Sequence, residues 1–300
     1  MCQVYISDTE KARKNLFAKA AGRVYTYSEM YREFFGLKEK PFNVTSDPNF
    51  LFLSRVHREA FVHLIYGIKE RKGFLEITGE VGAGKTTLCR ALINQLDRNT
   101  KSAFIFNSTL PELQLLQMIL EDFGLVVERR NKSSMLRQLN GFLIEELSKG
   151  NNVILIIDEA QNLKTSILEE IRMLSNLETD KEKLFQIILV GQPELKTKLN
   201  SPNLRQLRQR IGVRFHISPL EKDEIDKYIY HRLTVAGSDG QIRFAPDAIE
   251  SVHRYSGGIP RLINMVCDKA LLAAYVMETR DISDAIIEKS IHEIEGVVTV

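Results

Sequence analysis

The chain has 300 residues, of which 44% are hydrophobic and 27% are charged, a composition typical of soluble globular proteins and not of disordered chains. Its 41 basic and 39 acidic residues leave a net charge of +2, so no global field of one sign attracts nucleic acid or an anionic membrane. The length exceeds the comfortable size of one hydrophobic core, and we expect a larger domain with a smaller second one.

Cysteine usage and apolar runs narrow the class of protein further. The three cysteines, Cys2, Cys89 and Cys267, have no CxxC spacing, which argues against a disulfide framework or a zinc site and favours a reducing compartment. The longest apolar stretches, 153–157 and 270–277, are far shorter than the roughly 18 residues that a membrane-spanning helix needs. We therefore expect a cytoplasmic protein, with peripheral association at the inner membrane left open.

The N-terminal part of the chain differs from the rest. Residues 1–29 are basic and poor in apolar side chains, and we interpret them as a poorly ordered N-terminal arm; a nucleic-acid or membrane arm is the alternative. Residues 30–56 are aromatic and contain proline. They are interpreted as a docking segment whose aromatic side chains pack against a following domain: Phe34, Phe35, Phe42, Phe50 and Phe52.

A short apolar strand at 73–78 leads directly into a glycine-rich loop and an amphipathic helix. The loop fits the pattern G-x-x-x-x-G-K-[ST]. Backbone N–H groups of such a loop bind phosphate oxygens, so we predict a nucleotide site formed by Gly79, Glu80, Val81, Gly82, Ala83, Gly84, Lys85, Thr86 and Thr87. Lys85 is expected to reach the β and γ phosphates of ATP, and the Thr86 hydroxyl to bind Mg²⁺.

Two carboxylates follow a strand that is buried on both faces. A second predicted strand, 102–106, ends at Asn107, and a third, 153–157, is apolar at every residue. It ends in Asp158 and Glu159, at the edge of an α/β sheet where ligands bind. We predict that Asp158 binds Mg²⁺ and that Glu159 orients and deprotonates the attacking water. For a lone Asp-Glu pair, a helix N-cap at Glu159 is the alternative.

The fourth predicted strand, 184–190, brings Gln192 to the same edge, where its amide could contact the γ-phosphate or the water. A fifth strand is predicted at 213–217. An arginine cluster precedes and enters this strand, formed by Arg205, Arg208, Arg210 and Arg214. Because guanidinium suits phosphate, we interpret Arg210, ahead of Arg208, as an arginine finger that reaches a neighbouring subunit's γ-phosphate. A solvated or nucleic-acid-facing patch is the alternative.

The rest of the chain is predicted to be helical. Cap-like and glycine-bearing breaks separate four helices, at 221–236, 245–255, 259–277 and 283–295. We therefore expect an all-α lid domain at 220–300, after a P-loop core at 57–219. Arg261 lies at a helix start, where a cation is unfavourable unless a phosphate binds there; a plain surface arginine is the alternative. The histidines lack ligand spacing such as HExxH, so Mg²⁺ is the one metal predicted.

Together these residues resemble AAA+ ATPases with sensor 1 at Gln192, an arginine finger at Arg208 or Arg210, and sensor 2 at Arg261. The longer segments LIIDEAQNL, QIILVGQPEL and SGGIPRLIN are similar to the ATPase domain of the general secretion pathway protein A family. The resemblance covers residues 30 to about 295 and implies a P-loop AAA+ fold with a parallel five-stranded sheet. It also implies that 56–63 lies near the adenine and that Asn107 restrains Glu159 until a partner engages.

The resemblance further implies partners. It predicts a homo-oligomer, with a ring expected, whose subunits share ATP sites through arginine fingers and which acts on an envelope or secretion protein. In that family the chain begins at the segment matching Met30 and usually continues into a transmembrane helix and a peptidoglycan-binding domain, which we expect to be missing here. A DNA-binding ATPase that regulates transposition is the second hypothesis. A static nucleotide switch is disfavoured because Glu159 and the arginines are present.

Overall fold

A computed structural model describes residues 27–106, 111–175 and 183–296. The chain forms two compact units. The first contains Val44–His231 and His253–Asn264, and the second contains the described residues of Met1–Asn43, Arg232–Val252 and Met265–Val300. The predicted bounds of the docking segment, core and lid stay predictions.

A parallel sheet of five strands forms the centre of the first unit, which confirms the predicted fold class. Its strands are β1 (Phe74–Gly79), β2 (Thr100–Ile105), β3 (Asn152–Ile157), β4 (Gln186–Gly191) and β5 (Ile211–Ile217). The spatial order is β2-β3-β4-β1-β5, and every neighbouring pair is parallel. The predicted strands differ from the observed ones only at their ends. The order places β4 between β1, which leads into the glycine-rich loop, and β3, which leads into the two carboxylates.

Helices account for most of the remaining described residues. They are α1 (Tyr27–Phe34), α2 (Arg55–Lys69), α3 (Lys85–Gln95), α4 (Glu112–Asp122), α5 (Lys132–Ser148), α6 (Thr165–Leu174), α7 (Pro193–Leu199), α8 (Arg205–Arg210), α9 (Lys222–Val235), α10 (Pro246–Ser256), α11 (Pro260–Val276) and α12 (Asp284–Glu295). The predicted lid helices correspond to α9–α12. This helical part also contains a parallel ladder of two residues per strand, β6 (Arg243–Phe244) and β7 (Asp281–Ile282), which is too short to produce a periodic sequence signal.

Both faces of the large sheet are covered by apolar side chains. Leu155 and Ile157 of β3 pack into a core with residues of α4, α5 and α6. Ile154 and Ile156, which alternate with them, pack on the opposite face with residues of α2 and α3. Alternate residues of a strand point to opposite faces, so a strand between two helical layers has to be apolar throughout. Because both faces of the sheet are apolar, polar functional side chains are expected in the loops at its carboxyl edge.

The second unit has its own aromatic and polar contacts. The Tyr31 hydroxyl donates a hydrogen bond to Asp268 Oδ1 at 2.8 Å, and the rings of Phe34 and Tyr275 meet edge to face with centroids 5.5 Å apart. The buried Arg232 donates from Nε to the Pro41 carbonyl oxygen at 2.5 Å. The early part of the aromatic segment, including Phe35 and Phe42, is thus buried within this unit.

Within the described ranges, no helix combines the length and apolarity that crossing a bilayer requires. Cys89 and Cys267 are free thiols, and burial raises the pKa of both. A buried thiol with a raised pKa is a poor nucleophile, so these two residues act as small apolar side chains in the core.

A close backbone approach before α11 leads to a prediction about stability. Gly258 has a φ of +80°, and a Cβ at this position would lie 2.2 Å from the Leu220 carbonyl oxygen. Gly257, with a φ of +54°, faces open space. Gly258→Ala should lower the free energy of unfolding by on the order of 3 kcal/mol, because the left-handed conformation and the overlap both oppose a side chain.

Gly257→Ala is the matched control for this substitution. It should cost only the conformational penalty of about 1–2 kcal/mol. Urea unfolding curves of the two variants and the wild type give the comparison, and equal losses in the two variants would contradict the close approach.

Candidate functional site

The glycine-rich loop connects β1 to α3 and depends on backbone conformations that favour glycine. Gly82 and Gly84 have φ values of 82° and 93°, in the left-handed region. Space is restricted as well, because a Cβ on Gly82 would lie 2.5 Å from the Arg261 Cβ, and one on Gly84 would lie 3.1 Å from His57 Nε2. The loop therefore has the tight turn and close approach that phosphate binding by backbone N–H groups requires.

Lys85, the first residue of α3, has its ammonium group inside this loop. Its Nζ donates hydrogen bonds to the carbonyl oxygens of Gly79 and Glu80 at 2.8 and 2.9 Å. Burial lowers the pKa of Lys85, while the charges of Glu159 and Asp158 oppose this effect. A buried cation whose two hydrogen bonds go to neutral carbonyls gains from an anionic ligand, so the loop is suited to phosphate.

Thr86 and Asp158 join the loop to the end of β3. The Thr86 hydroxyl donates to Asp158 Oδ2 at 2.5 Å, and the Glu159 backbone N–H donates to Asp158 Oδ1 at 2.9 Å. Burial raises the pKa of Asp158, and these two hydrogen bonds oppose the shift. Mg²⁺ is a hard cation that prefers oxygen ligands. A hydroxyl and a buried carboxylate side by side fit that preference.

Glu159 follows with an unusual backbone. Its φ of 52° lies in the left-handed region, a short 3₁₀ turn of Ala160–Asn162 comes next, and its side chain makes no cap hydrogen bond. The alternative interpretation of Glu159 as a helix N-cap is therefore wrong, since α6 begins only at Thr165. A glutamate in the left-handed backbone conformation is unfavourable unless surrounding contacts stabilise it. Residues in such conformations concentrate at functional sites.

Two glutamine side chains contact the Glu159 carboxylate. Gln192 donates from Nε2 to Glu159 Oε2 at 3.0 Å, which places the predicted sensor beside the predicted base. Gln161 donates to the same oxygen at 2.5 Å and accepts from the Gln192 backbone N–H at 3.1 Å. Gln161 is absent from the predicted site, although its position inside the segment DEAQNL was the available signal. Asn107, predicted to restrain Glu159, lies outside the described residues.

The arginine cluster surrounds the junction of α8 and β5. Arg210 donates from Nη1 to Ser175 Oγ at 3.1 Å, and Arg208 donates from Nη1 to the Asn200 carbonyl oxygen at 3.3 Å. The assignment of Arg210 or Arg208 as an arginine finger stays a prediction. Arg205 is exposed on the same helix.

Arg214 connects this cluster to the strand that leads into the loop. Its Nη2 donates to the Arg208 carbonyl oxygen at 2.7 Å, and its Nε lies 3.4 Å from Glu76 Oε2 in β1. Burial raises the pKa of Glu76, and the Arg214 charge opposes this shift. Arg214 is exposed but has a structural partner in Glu76.

Two further side chains contact the loop. The Arg261 backbone N–H donates to the Gly82 carbonyl oxygen at 3.2 Å, so the predicted sensor arginine lies at the loop and is exposed. The His57 ring is buried between Ser54 Oγ, 2.7 Å from Nδ1, and the Ala83 carbonyl oxygen, 2.9 Å from Nε2. A carbonyl only accepts, so Nε2 carries the proton. Sequence analysis found no role for His57 in the loop because its partner is a backbone atom.

Comparisons with known proteins show which families and folds the chain is similar to. A model of the AAA domain matches residues 68–199. General secretion pathway protein A of Aeromonas hydrophila is 44% identical over 269 residues, which are 89% of this chain and 49% of that protein. The chain therefore spans about half the length of this curated relative.

Solved structures support the same fold. The ORC2 protein of Aeropyrum pernix superposes with a TM-score of 0.66 at 18% identity, covering 87% of this chain and 75% of that one. Cdc6p from Pyrobaculum aerophilum gives a TM-score of 0.63 at 18% identity, covering 88% and 71% of the two chains. At these identities the likeness concerns the fold.

The buried His57 ring leads to a prediction about pH. Burial lowers the pKa of His57 from its usual 6.5, while the Ala83 carbonyl and the Glu224 charge oppose the shift. The unfolded chain therefore binds more protons than the folded chain between the folded-state pKa and 6.5. The free energy of unfolding should fall as the pH drops below 6.5, and His57→Gln should flatten that dependence.

His63→Gln is the control, because His63 is exposed on the same helix. Urea unfolding at several pH values between neutrality and mild acid provides the measurement. An identical pH dependence in the wild type and His57→Gln would show that His57 does not contribute.

Proposed function

We propose that the chain is a Mg²⁺-dependent ATPase serving envelope secretion or export. The proposal proceeds from its AAA+ P-loop fold and from its similarity to general secretion pathway protein A over 89% of its length. The observation that carries the proposal is the hydrogen bond between Thr86 and Asp158. It joins a phosphate-binding loop to a buried carboxylate, with a second carboxylate, Glu159, as the next residue.

ATP binding is assigned to the loop and to two cations. The backbone N–H groups of residues 79–87 and the Lys85 ammonium bind the phosphates, and Arg261 adds a cation from the start of α11. Thr86 and Asp158 hold Mg²⁺, which when bound neutralises phosphate charge. The exchange of the Lys85 contacts with Gly79 and Glu80 for phosphate oxygens favours binding, because both partners are then charged.

Hydrolysis is assigned to Glu159 and Gln192. The Glu159 carboxylate accepts a proton from water while the water oxygen attacks the γ-phosphorus, and the bond from the γ-phosphorus to the bridging oxygen breaks to give ADP and phosphate. Gln192 contacts Glu159 from the end of β4 and supplies an amide to the γ-phosphate or the water. The products leave with no covalent intermediate on the protein.

The arginines are assigned to a neighbouring subunit. Arg210, and behind it Arg208, supply positive charge to the γ-phosphate bound by the next copy, so the working form is a homo-oligomer with a ring expected. The assignment rests on the fit of guanidinium to phosphate. Within its own chain Arg210 contacts Ser175, the residue that follows α6. A shared site would make hydrolysis depend on assembly.

The role in secretion is the less direct part of the proposal. It rests on the name of a relative of which this chain covers 49%, so the partner is proposed by chemistry as an envelope or secretion protein. The proposed location is the cytoplasm, with peripheral association at the inner membrane. The second candidate is a DNA-binding ATPase that regulates transposition, favoured by the exposed Arg205 and Arg214, which could contact phosphates.

Glu159→Gln tests the hydrolysis mechanism. The amide keeps the shape of the side chain and cannot accept the proton, so ATP affinity should persist while turnover falls by about 10²- to 10⁴-fold. Calorimetric ATP titration and phosphate release are the measurements, with the exposed Glu194→Gln on α7 as an isosteric control. Retained turnover would exclude Glu159 as the base.

The same assay separates the two candidate roles when duplex DNA is added at near-physiological salt. Rings or weak oligomers whose rate of ATP turnover is unchanged by DNA support the envelope role. Strong stimulation with ATP-dependent filaments on DNA would replace it with the transposition role.

Mixing two inactive variants tests whether the site is shared. Arg210→Ala should bind ATP and lose about 10³-fold or more in turnover, because the charge on the γ-phosphate is no longer stabilised. Lys85→Ala should fail to bind ATP productively while keeping its own Arg210. A mixture should recover part of the turnover, since an intact loop and an intact arginine meet at some interfaces.

Arg205→Ala is the control on the same helix and should turn over like the wild type. Absence of recovery in the mixture, at concentrations where both variants assemble, would contradict a shared site.

A further inference from the structure

The Gln161 side chain occupies a central position in the polar network at the carboxyl edge of the sheet. Its Nε2 donates to Glu159 Oε2 at 2.5 Å, and its Oε1 accepts from the Gln192 backbone N–H at 3.1 Å. Both polar ends of one amide are thus used, one on the proposed base and one on the end of β4. A side chain fixed at both ends loses little further freedom when it orients a neighbour.

Neighbouring residues leave space for the Gln161 amide and hold its main chain. A Cβ on Gly191 would lie 2.7 Å from Gln161 Oε1, so the last residue of β4 leaves room for the amide only as glycine. The Gln161 main chain is fixed as well, because Lys198 Nζ of α7 donates to the carbonyl oxygens of Gln161 and, at 2.9 Å, of Leu163. The turn that carries Gln161 is therefore held by α7.

Gln161 and Gln192 differ in how freely they can leave Glu159. Both donate to Oε2, but the side chain of Gln192 is assigned above to the γ-phosphate or the water, and turning toward either removes its hydrogen bond to Glu159. The amide of Gln161 remains in place, because its Oε1 accepts a hydrogen bond from the backbone N–H of Gln192, which does not depend on the Gln192 side chain. Gln161 is then the donor that stays on the carboxylate throughout the reaction.

We propose that Gln161 is a positioning residue that fixes the orientation of the Glu159 carboxylate for proton abstraction from water. The left-handed backbone of Glu159 makes such a support necessary, since this conformation is costly and does not by itself restrict the side-chain torsions. The inference rests on the proposed ATPase function and deepens it. Gln161 acts through Glu159 and does not touch ATP.

Gln161→Ala and Gln161→Glu test the proposal. Alanine removes the amide, whereas glutamate keeps the size and the acceptor for the Gln192 N–H but replaces the donor to Glu159 by a second carboxylate. Each should lower kcat for ATP by roughly 10- to 100-fold, the cost of misplacing a catalytic group, with KM nearly unchanged. Steady-state phosphate release at varied ATP concentration gives kcat and KM, and calorimetric ATP titration gives the Kd for comparison.

A double-mutant cycle with Glu159→Gln distinguishes positioning from a general structural role. If Gln161 acts through the carboxylate, Gln161→Glu should cause no further loss in the Glu159→Gln background, measured in single turnovers. A full multiplicative loss there, a rise in KM that accounts for the effect, or a kcat in Gln161→Glu equal to or above that of the wild type would overturn the inference.

These outcomes are separable from a failure of the proposed function. If Glu159→Gln abolishes turnover while both Gln161 variants hydrolyse ATP at the wild-type rate, the ATPase assignment is supported. The proposed role of Gln161 is then contradicted. If the wild type binds ATP and Glu159→Gln hydrolyses as fast as the wild type, the assignment of the base falls, and the role of Gln161 falls with it.

Discussion

The parallel pairing of β1 with β4 and of β4 with β3 is the constraint on which the site depends. It brings three loops to one edge of the sheet: the glycine-rich loop after β1, the carboxylate pair after β3, and Gln192 after β4. The hydrogen bond from Thr86 to Asp158 joins the outer two of these loops across the end of β4. A change in strand order would separate the residues even with every motif intact.

Burial of charge gives this edge its chemical character. Lys85 and Asp158 are 5% and 3% exposed, and burial shifts the pKa of each toward the neutral form. Water that would solvate these groups in an open cleft is largely replaced by carbonyl oxygens, a hydroxyl and a backbone N–H. Groups in such surroundings interact more strongly with a charged ligand than exposed groups do, because the effective dielectric constant is lower.

The sequence predicted those parts of the molecule that local patterns specify. The apolar strand at 153–157, the glycine-rich loop and the four C-terminal helices follow from periodicity and from residue types with narrow backbone preferences. Contacts between residues far apart in the sequence were harder to predict. Gln161, two residues after the left-handed Glu159, meets the backbone of Gln192 at the end of β4, and His57 meets the loop through a backbone carbonyl that has no sequence signature. The strand order and the contact of Arg210 with Ser175 depend likewise on tertiary packing.

The loop after β1 draws its contacts from segments far apart in the chain. His57 precedes it, the Ile217 carbonyl oxygen lies close to Gly79, and Arg261 contacts Gly82. A chain synthesised from its N-terminus has the whole glycine-rich motif early, but the last of these contacts forms only when Arg261 has left the ribosome. Contacts that close such long loops form slowly because of their entropy cost. The nascent chain therefore completes the contacts of its glycine-rich loop only after residue 261 has been synthesised.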